Sequence, residues 1–164
     1  MSLGKLTLFA GKMGAGKSTM SLEVSKSTNA VLISEDEWLE SLYPNQISTL
    51  DDYIKLSKLL RPQIKKLAQS ILQTGTDVVM DYPANTVAQR EWLKRIFSEI
   101  GAPHELMYID SPNDICLAQI EKRRLENHDR EKTDTMEMFV AVTKYYVEPS
   151  PEEGFIISTI KRGD

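Results

Sequence analysis

Leu6-Thr7-Leu8-Phe9-Ala10-Gly11-Lys12-Met13-Gly14-Ala15-Gly16-Lys17-Ser18-Thr19 joins an apolar run to a glycine-rich loop that ends on a Lys-Ser pair. Gly11, Gly16, Lys17 and Ser18 carry the spacing G-x-x-x-x-G-K-S, and helical spacing resumes at Met20-Ser21-Leu22-Glu23-Val24. Strand, loop and helix in that order form a phosphate-binding P-loop. Glycines at 11, 14 and 16 open backbone conformations closed to residues with a Cβ, and let N–H groups approach phosphate oxygens. The helix beginning near Gly16 turns the positive end of its dipole toward the same place. Lys17 is expected to reach the β- and γ-phosphates and the Ser18 hydroxyl to ligate Mg²⁺. The expected nucleotide-binding residues are Gly11, Met13, Gly14, Ala15, Gly16, Lys17, Ser18 and Thr19. A ligand-free glycine turn explains neither Lys17 nor Ser18.

The rest of the chain narrows the setting. Its 164 residues predict one domain, 1–164, with a substantial core. Hydrophobic content of 41% and charged content of 27% are those of an ordinary soluble protein. A net charge of −4 weighs against a nucleic-acid coat or an anionic-membrane partner, since both need a basic face. The single cysteine, Cys116, can form no intramolecular disulfide, and no Cys/His cluster has zinc-ligand spacing. Without a signal-peptide layout or a run near the ~20 apolar residues of a membrane span, a cytoplasmic location is expected.

Short apolar runs alternate with longer helical segments, the pattern of a parallel sheet covered on both faces. Strands are predicted at Lys5–Ala10, Ala30–Ser34, Asp77–Asp81, Glu105–Asp110 and Phe155–Ser158. Helices are predicted at about Lys17–Lys26, Leu50–Thr74, Thr86–Ile100, Pro112–Glu126 and Thr135–Glu148. Pro62 predicts a kink or a break in the long helix. Ser111 is expected to cap a helix with Pro112 in its first turn. Met136, Phe139, Val140, Thr143, Tyr146 and Val147 have core spacing in the last helix.

In open α/β sheets ligands sit beyond the carboxyl ends of the strands, so polar residues there carry the functional information. Ser34-Glu35-Asp36-Glu37 after the second strand has capping-box spacing, which leaves Asp36 without a structural task. Asp36 is the expected group to orient or deprotonate an acceptor hydroxyl, with Glu35 and Glu37 as alternatives. Val78-Val79-Met80-Asp81 resembles a strand whose terminal aspartate holds Mg²⁺, and Asp81 could also cap the following turn. Asn85 or Thr86 suits the next N-cap, and Tyr82 and Asn85 could line the acceptor pocket. Asp110 ends the fourth strand just before a helix and reads as a cap.

Glu121-Lys122-Arg123-Arg124-Leu125-Glu126-Asn127-His128-Asp129-Arg130-Glu131-Lys132 is the most charged stretch. A solvated helix face explains its charge, but its position between the fourth and fifth strands suits a lid of about residues 121–136. Cys116, Ile120 and Arg124 fall on one helical stripe. Arg124 and Arg130 are the leading candidates to meet the transferring phosphate, with Arg123 next. His128 and His104 read as structural or solvent-exposed.

On Gly11–Thr19, Ile33-Ser34-Glu35-Asp36-Glu37-Trp38, Met80-Asp81-Tyr82-Pro83-Ala84-Asn85-Thr86, residues 117–124 and Pro149-Ser150-Pro151-Glu152-Glu153-Gly154-Phe155, the chain resembles the small bacterial P-loop kinases. These group with zeta-toxin and chloramphenicol-phosphotransferase-like proteins, and the likeness is greatest to an uncharacterised branch of predicted kinases. The resemblance covers nearly the whole chain. It implies a three-layer α/β fold, a five-stranded parallel sheet in the order 2-3-1-4-5 and a helical lid. It also implies Mg²⁺–ATP as donor, Asp36 as base and an acceptor site between the second strand and the long helix. It names no acceptor. The expected activity is ATP-dependent phosphoryl transfer to a small hydroxylated molecule. The alternatives are an ATP-binding regulatory module, a polynucleotide or tRNA end kinase and a toxin-like nucleotide-sugar kinase.

Overall fold

Side chains that alternate along each strand divide the core between the two faces of a five-stranded parallel sheet. The computed structural model describes residues 2–127, 130 and 133–163. Its strands are β1 (Leu6–Ala10), β2 (Val31–Ser34), β3 (Val78–Asp81), β4 (His104–Asp110) and β5 (Ile157–Lys161), in the order β2-β3-β1-β4-β5. Its helices are α1 (Lys17–Thr28), α2 (Glu35–Leu42), α3 (Leu50–Gln73), α4 (Val87–Ser98), α5 (Asn113–Glu126) and α6 (Met136–Thr143). The strand order is the one implied by the resemblance.

Leu6, Leu8, Val78, Met80 and Leu106 face Leu60, Ile64, Leu72, Leu93 and Ile96 of α3 and α4. Phe9, Val79 and Ile109 face the opposite way, toward Cys116 and Ile120 of α5, Phe139 of α6 and Met20 and Val24 of α1. Burial on both faces is why the strands read as apolar runs without alternation. Among the described residues no helix is long and apolar enough to cross a membrane.

Several local expectations change. The long helix runs through Pro62 as one element, from a Thr49–Asp52 capping box to Gln73. Leu60 and Ile64, on either side of the proline, are anchored in the core, and Pro62 itself is exposed. Helix α5 begins one residue later than expected, with Pro112 as N-cap and no side-chain cap; Ser111 is buried, its hydroxyl without a hydrogen-bond partner among the described residues. Helix α6 ends at Thr143, and Met136, Val140 and Val147 are exposed. Only Phe139 and Tyr146 of that set reach the two core clusters.

Strand β5 lies two to three residues beyond its expected place. The reason is the segment before it. Arg90 of α4 is completely buried and donates to Glu153 Oε1 at 2.6 Å, to Glu153 Oε2 at 3.2 Å and to the Ala84 and Val147 carbonyls, both at 2.8 Å. That anchor holds Pro151–Glu153 as a short turn outside the sheet. His104, at the far end of β4, stacks on Phe97 at 3.8 Å and accepts the Ile156 N–H at 3.0 Å. Its role is structural. His128 lies outside the described residues.

Candidate functional site

Parallel register brings the functional segments to one edge. Ser34 pairs with Asp81 at the carboxyl ends of β2 and β3, so the first turn of α2 lies beside Asp81. Strand β1 runs between β3 and β4 and delivers the P-loop to the middle of that edge.

The loop is braced from both sides. Gly11 N–H donates to Asn85 Oδ1 at 3.1 Å, and Ala15 N–H donates to the Lys12 carbonyl at 3.0 Å. Gly14 has φ 82°, and a Cβ there would stand 2.4 Å from the Cys116 carbonyl oxygen. Helix α5 therefore lies directly on the loop, at a distance only glycine permits. Gly16 is the N-cap of α1, with no side-chain cap and no acidic residue in the first turn. First-turn N–H groups without a capping acceptor beside a lysine ammonium suit an anion.

Burial pushes the Lys17 pKa down, Asp81, Asp36 and Glu35 oppose that shift, and the Arg123 charge adds to it. Burial likewise raises the Asp81 pKa, against the Ser18 hydroxyl and the Lys17 charge. Among the described residues no three His, Cys, Asp or Glu side chains gather into a metal cage. Ser18 and Asp81 offer two neighbouring oxygens. That set fits Mg²⁺, which keeps several waters and takes phosphate oxygens instead of filling an all-protein cage.

The two carboxylates that open α2 have different surroundings. Glu35 is buried, accepting from Tyr53 Oη at 2.5 Å and Ser57 Oγ at 2.7 Å, and burial raises its pKa to about 7. Asp36 is 64% exposed and meets Arg130 Nη2 at 3.6 Å. Glu37 is exposed, and its N–H donates to Ser34 Oγ at 3.4 Å. Asp36 is thus the open carboxylate of the three that faces a cation from the α5–α6 connection. Tyr82 is buried, its ring 5.3 Å from Trp92, and its hydroxyl has no partner among the described residues.

Arg123 and Arg130 meet at Asp134. Asp134 Oδ1 accepts from Arg123 Nη2 at 3.1 Å, and Oδ2 lies 3.5 Å from Arg130 Nε. Arg124 stands instead in a small cleft with Leu117, Glu121, Asp134 and Met136. Helical geometry explains the difference. Seven residues return a helix to within about 20° of the starting face, whereas eight overshoot by about 80°, so position 123 follows Cys116 more closely than position 124 does.

On the other side of the loop, Lys12, Asp110, Ser111, Pro112, Lys161 and Arg162 line a cavity of about 350 Å³. Lys12 Nζ donates to Asn113 Oδ1 at 2.8 Å, and Arg162 N–H donates to the Asp110 carbonyl at 2.9 Å. The Arg162 guanidinium carbon would lie 3.7 Å from a Cβ at Gly16. The sequence reading missed Arg162 because it ended β5 at Ser158. It also missed Asn85 as a loop brace, since Thr86 is the N-cap of α4. Asp134 carried no signal in the sequence beyond its place just before the last predicted helix.

A family model described as an AAA domain, AAA_33, matches residues 6–145. The chain belongs to this AAA_33 family. No curated protein matches the sequence. Among solved structures, this AAA_33 chain is similar to a candidate kinase from Chloroflexus aurantiacus J-10-fl, with a TM-score of 0.74 at 16% identity over 98% of this chain and 86% of that one. A sugar kinase from Janibacter sp. HTCC2649 gives a TM-score of 0.62 at 15% identity over 97% and 85%. Mycobacterium tuberculosis APS kinase CysC, solved with AMPPNP and APS, gives 0.60 at 15% identity over 99% and 92%. The AAA_33 chain has the fold of the P-loop kinases.

Proposed function

We propose that this protein is an ATP-dependent phosphotransferase whose acceptor is a small hydroxylated molecule. The observation that carries the proposal is the convergence of Lys17, Asp81, Asp36 and Arg130 at the carboxyl edge of the sheet. A regulatory nucleotide switch does not need an exposed carboxylate facing an arginine there. Phosphoryl transfer does, because the acceptor hydroxyl must be aligned and charge spreads over the transferring oxygens.

In this reading the loop N–H groups of residues 13–19 and the Lys17 ammonium bind the phosphates. The nucleoside occupies the cavity beside Lys12, Ser111 and Arg162. Ser18 and Asp81 would hold Mg²⁺, which would supply positive charge against that of the phosphates. Asp36 orients the acceptor hydroxyl and takes its proton. Arg130 offsets the charge of the transferring group, together with Arg123 or Arg124, from the expected lid of about residues 121–136, of which 128, 129, 131 and 132 lie outside the described residues. The acceptor lies between α2 and α3.

Two measurements test this. A thermal-shift screen of hydroxylated metabolites, with Mg²⁺ and a non-hydrolysable ATP analogue, identifies the acceptor; a ligand at 100 times its Kd stabilises by about 2.7 kcal/mol. Asp36→Asn is then expected to bind the analogue as wild type does and to lose at least a hundredfold in transfer. Unchanged transfer in that variant would remove Asp36 from the chemistry, and failure of every acceptor would overturn the phosphotransferase reading.

A further inference from the structure

Asp134 is a 2% exposed carboxylate in the connection between α5 and α6, one residue before the Thr135 N-cap. Burying a carboxylate is costly unless charge and hydrogen bonds offset the lost hydration. Here two arginines supply both. Arg123 donates from Nη2 to Asp134 Oδ1 at 3.1 Å, and its Nε lies 3.1 Å from Oδ2 as an ion-pair contact, neither of those two atoms having a hydrogen-bond partner among the described residues. Arg130 Nε is 3.5 Å from the same Oδ2, and the Asp134 N–H donates to the Arg130 carbonyl at 2.7 Å.

Neither arginine ends at Asp134. Arg130 extends its Nη2 to within 3.6 Å of Asp36. Arg123 is near enough to Lys17 for its charge to lower the lysine's pKa. Asp134 engages Arg123 through a single hydrogen bond to Nη2, with the rest of the guanidinium held by charge. One buried carboxylate thus holds two guanidinium groups that reach toward the P-loop lysine on one side and the carboxylate after β2 on the other.

We propose that Asp134 is a positioning residue for phosphoryl transfer, gathering Arg123 and Arg130 into a two-arginine clamp over the phosphate site. The proposal rests on the phosphotransferase reading above. Donors that are already aimed need no reorganisation as charge develops, so their alignment acts on the transition state more than on nucleotide binding. A carboxylate that merely stapled the connection would instead act on stability and leave the arginines' contribution unchanged.

The test begins with the wild-type protein: its affinity for a fluorescent non-hydrolysable ATP analogue with Mg²⁺, and its ADP release from Mg²⁺–ATP, with water or a screened acceptor receiving the phosphoryl group. A wild-type protein that neither binds the analogue nor releases ADP defeats the phosphotransferase reading, independently of Asp134. With an active wild type, Asp134→Asn is expected to slow turnover at saturating ATP at least tenfold and to change the analogue's Kd by less than threefold. In an Arg123→Ala/Arg130→Ala background the same substitution is expected to cost less than twofold, because its targets are gone. Wild-type turnover in Asp134→Asn, or an equal loss in both backgrounds, would overturn the proposal. The Arg123 Nη2–H donated to Asp134 Oδ1 gives a readout free of activity: its ¹⁵N-detected resonance is expected to shift in Asp134→Asn, and an unchanged signal would also overturn the proposal. Should Asp134→Asn not fold, Asp134→Glu, which keeps the charge and displaces it by one methylene, carries the same comparisons.

Discussion

Asn85 Oδ1 accepts the Gly11 N–H at 3.1 Å, fastening the first residue of the P-loop to the segment that follows β3. The same asparagine accepts the Val147 N–H on its carbonyl at 2.7 Å and donates its own N–H to Gln89 at 2.9 Å. One residue therefore joins the phosphate loop, the start of α4 and the end of the α6 segment. Its side-chain oxygen serves the loop.

Replacing Asn85 by Ala removes the acceptor of the Gly11 N–H and is expected to cost about 1–3 kcal/mol, the range for a donor left without its partner. Because the lost bond braces the loop, part of that cost should appear as a weaker Kd for Mg²⁺–ATP. Urea unfolding and nucleotide titration of the variant check both. Wild-type values in both would show that the bond contributes nothing.

Arg90 and Glu153 make the second structural prediction. Arg90→Met removes a fully buried guanidinium and leaves Glu153 with the Ala84 and Val147 carbonyls short of a donor. Loss of one partner from a buried ion pair typically costs about 3–5 kcal/mol. The midpoint of denaturation should fall accordingly, and amide exchange should accelerate in the 147–157 segment before it does in β1. A stability loss below 1 kcal/mol would contradict the anchoring role.

Glu35 predicts a pH dependence. Burial raises its carboxyl from 4.5 to about 7, despite the Tyr53 and Ser57 hydroxyls. Between those values the folded protein binds the proton more tightly than the unfolded chain does, so this group's contribution falls as pH rises through the window and levels off above it. Glu35→Gln keeps the shape without ionising, its amide oxygen accepting from one of the two hydroxyls and its NH₂ donating to the other. The stability difference, variant minus wild type, is expected to grow in the variant's favour by about 3 kcal/mol from pH 4.5 to 8. Parallel pH–stability curves for the two proteins would remove Glu35 as the source.

The P-loop, the first four strands and the carboxylates after β2 and β3 were legible in the sequence because each rests on local chemistry. Glycine spacing, apolar run length and the polar residue closing each run are properties of a few consecutive residues. The resemblance to small P-loop kinases supplied the order 2-3-1-4-5, and the sheet has it. Of the kink or break expected at Pro62 the break is absent, because burial of Leu60 and Ile64 holds α3 together across it. Strand β5 was placed early because the Arg90–Glu153 anchor, 63 residues apart in sequence, leaves no local trace.

Gly11, Gly14, Gly16, Lys17 and Ser18 are legible as a P-loop from adjacent residues alone. Only the tertiary structure decided which neighbours complete it. Asn85 reaches Gly11 across 74 positions, Arg162 comes beside Gly16 at the end of β5, and Asp134 selects Arg123 and Arg130 from a run of cations. The physical reason is that an ion pair or a buried hydrogen bond depends on distance, burial and direction in space. Residues far apart in a sequence acquire those only when parallel strands and their crossover helices bring them to one edge.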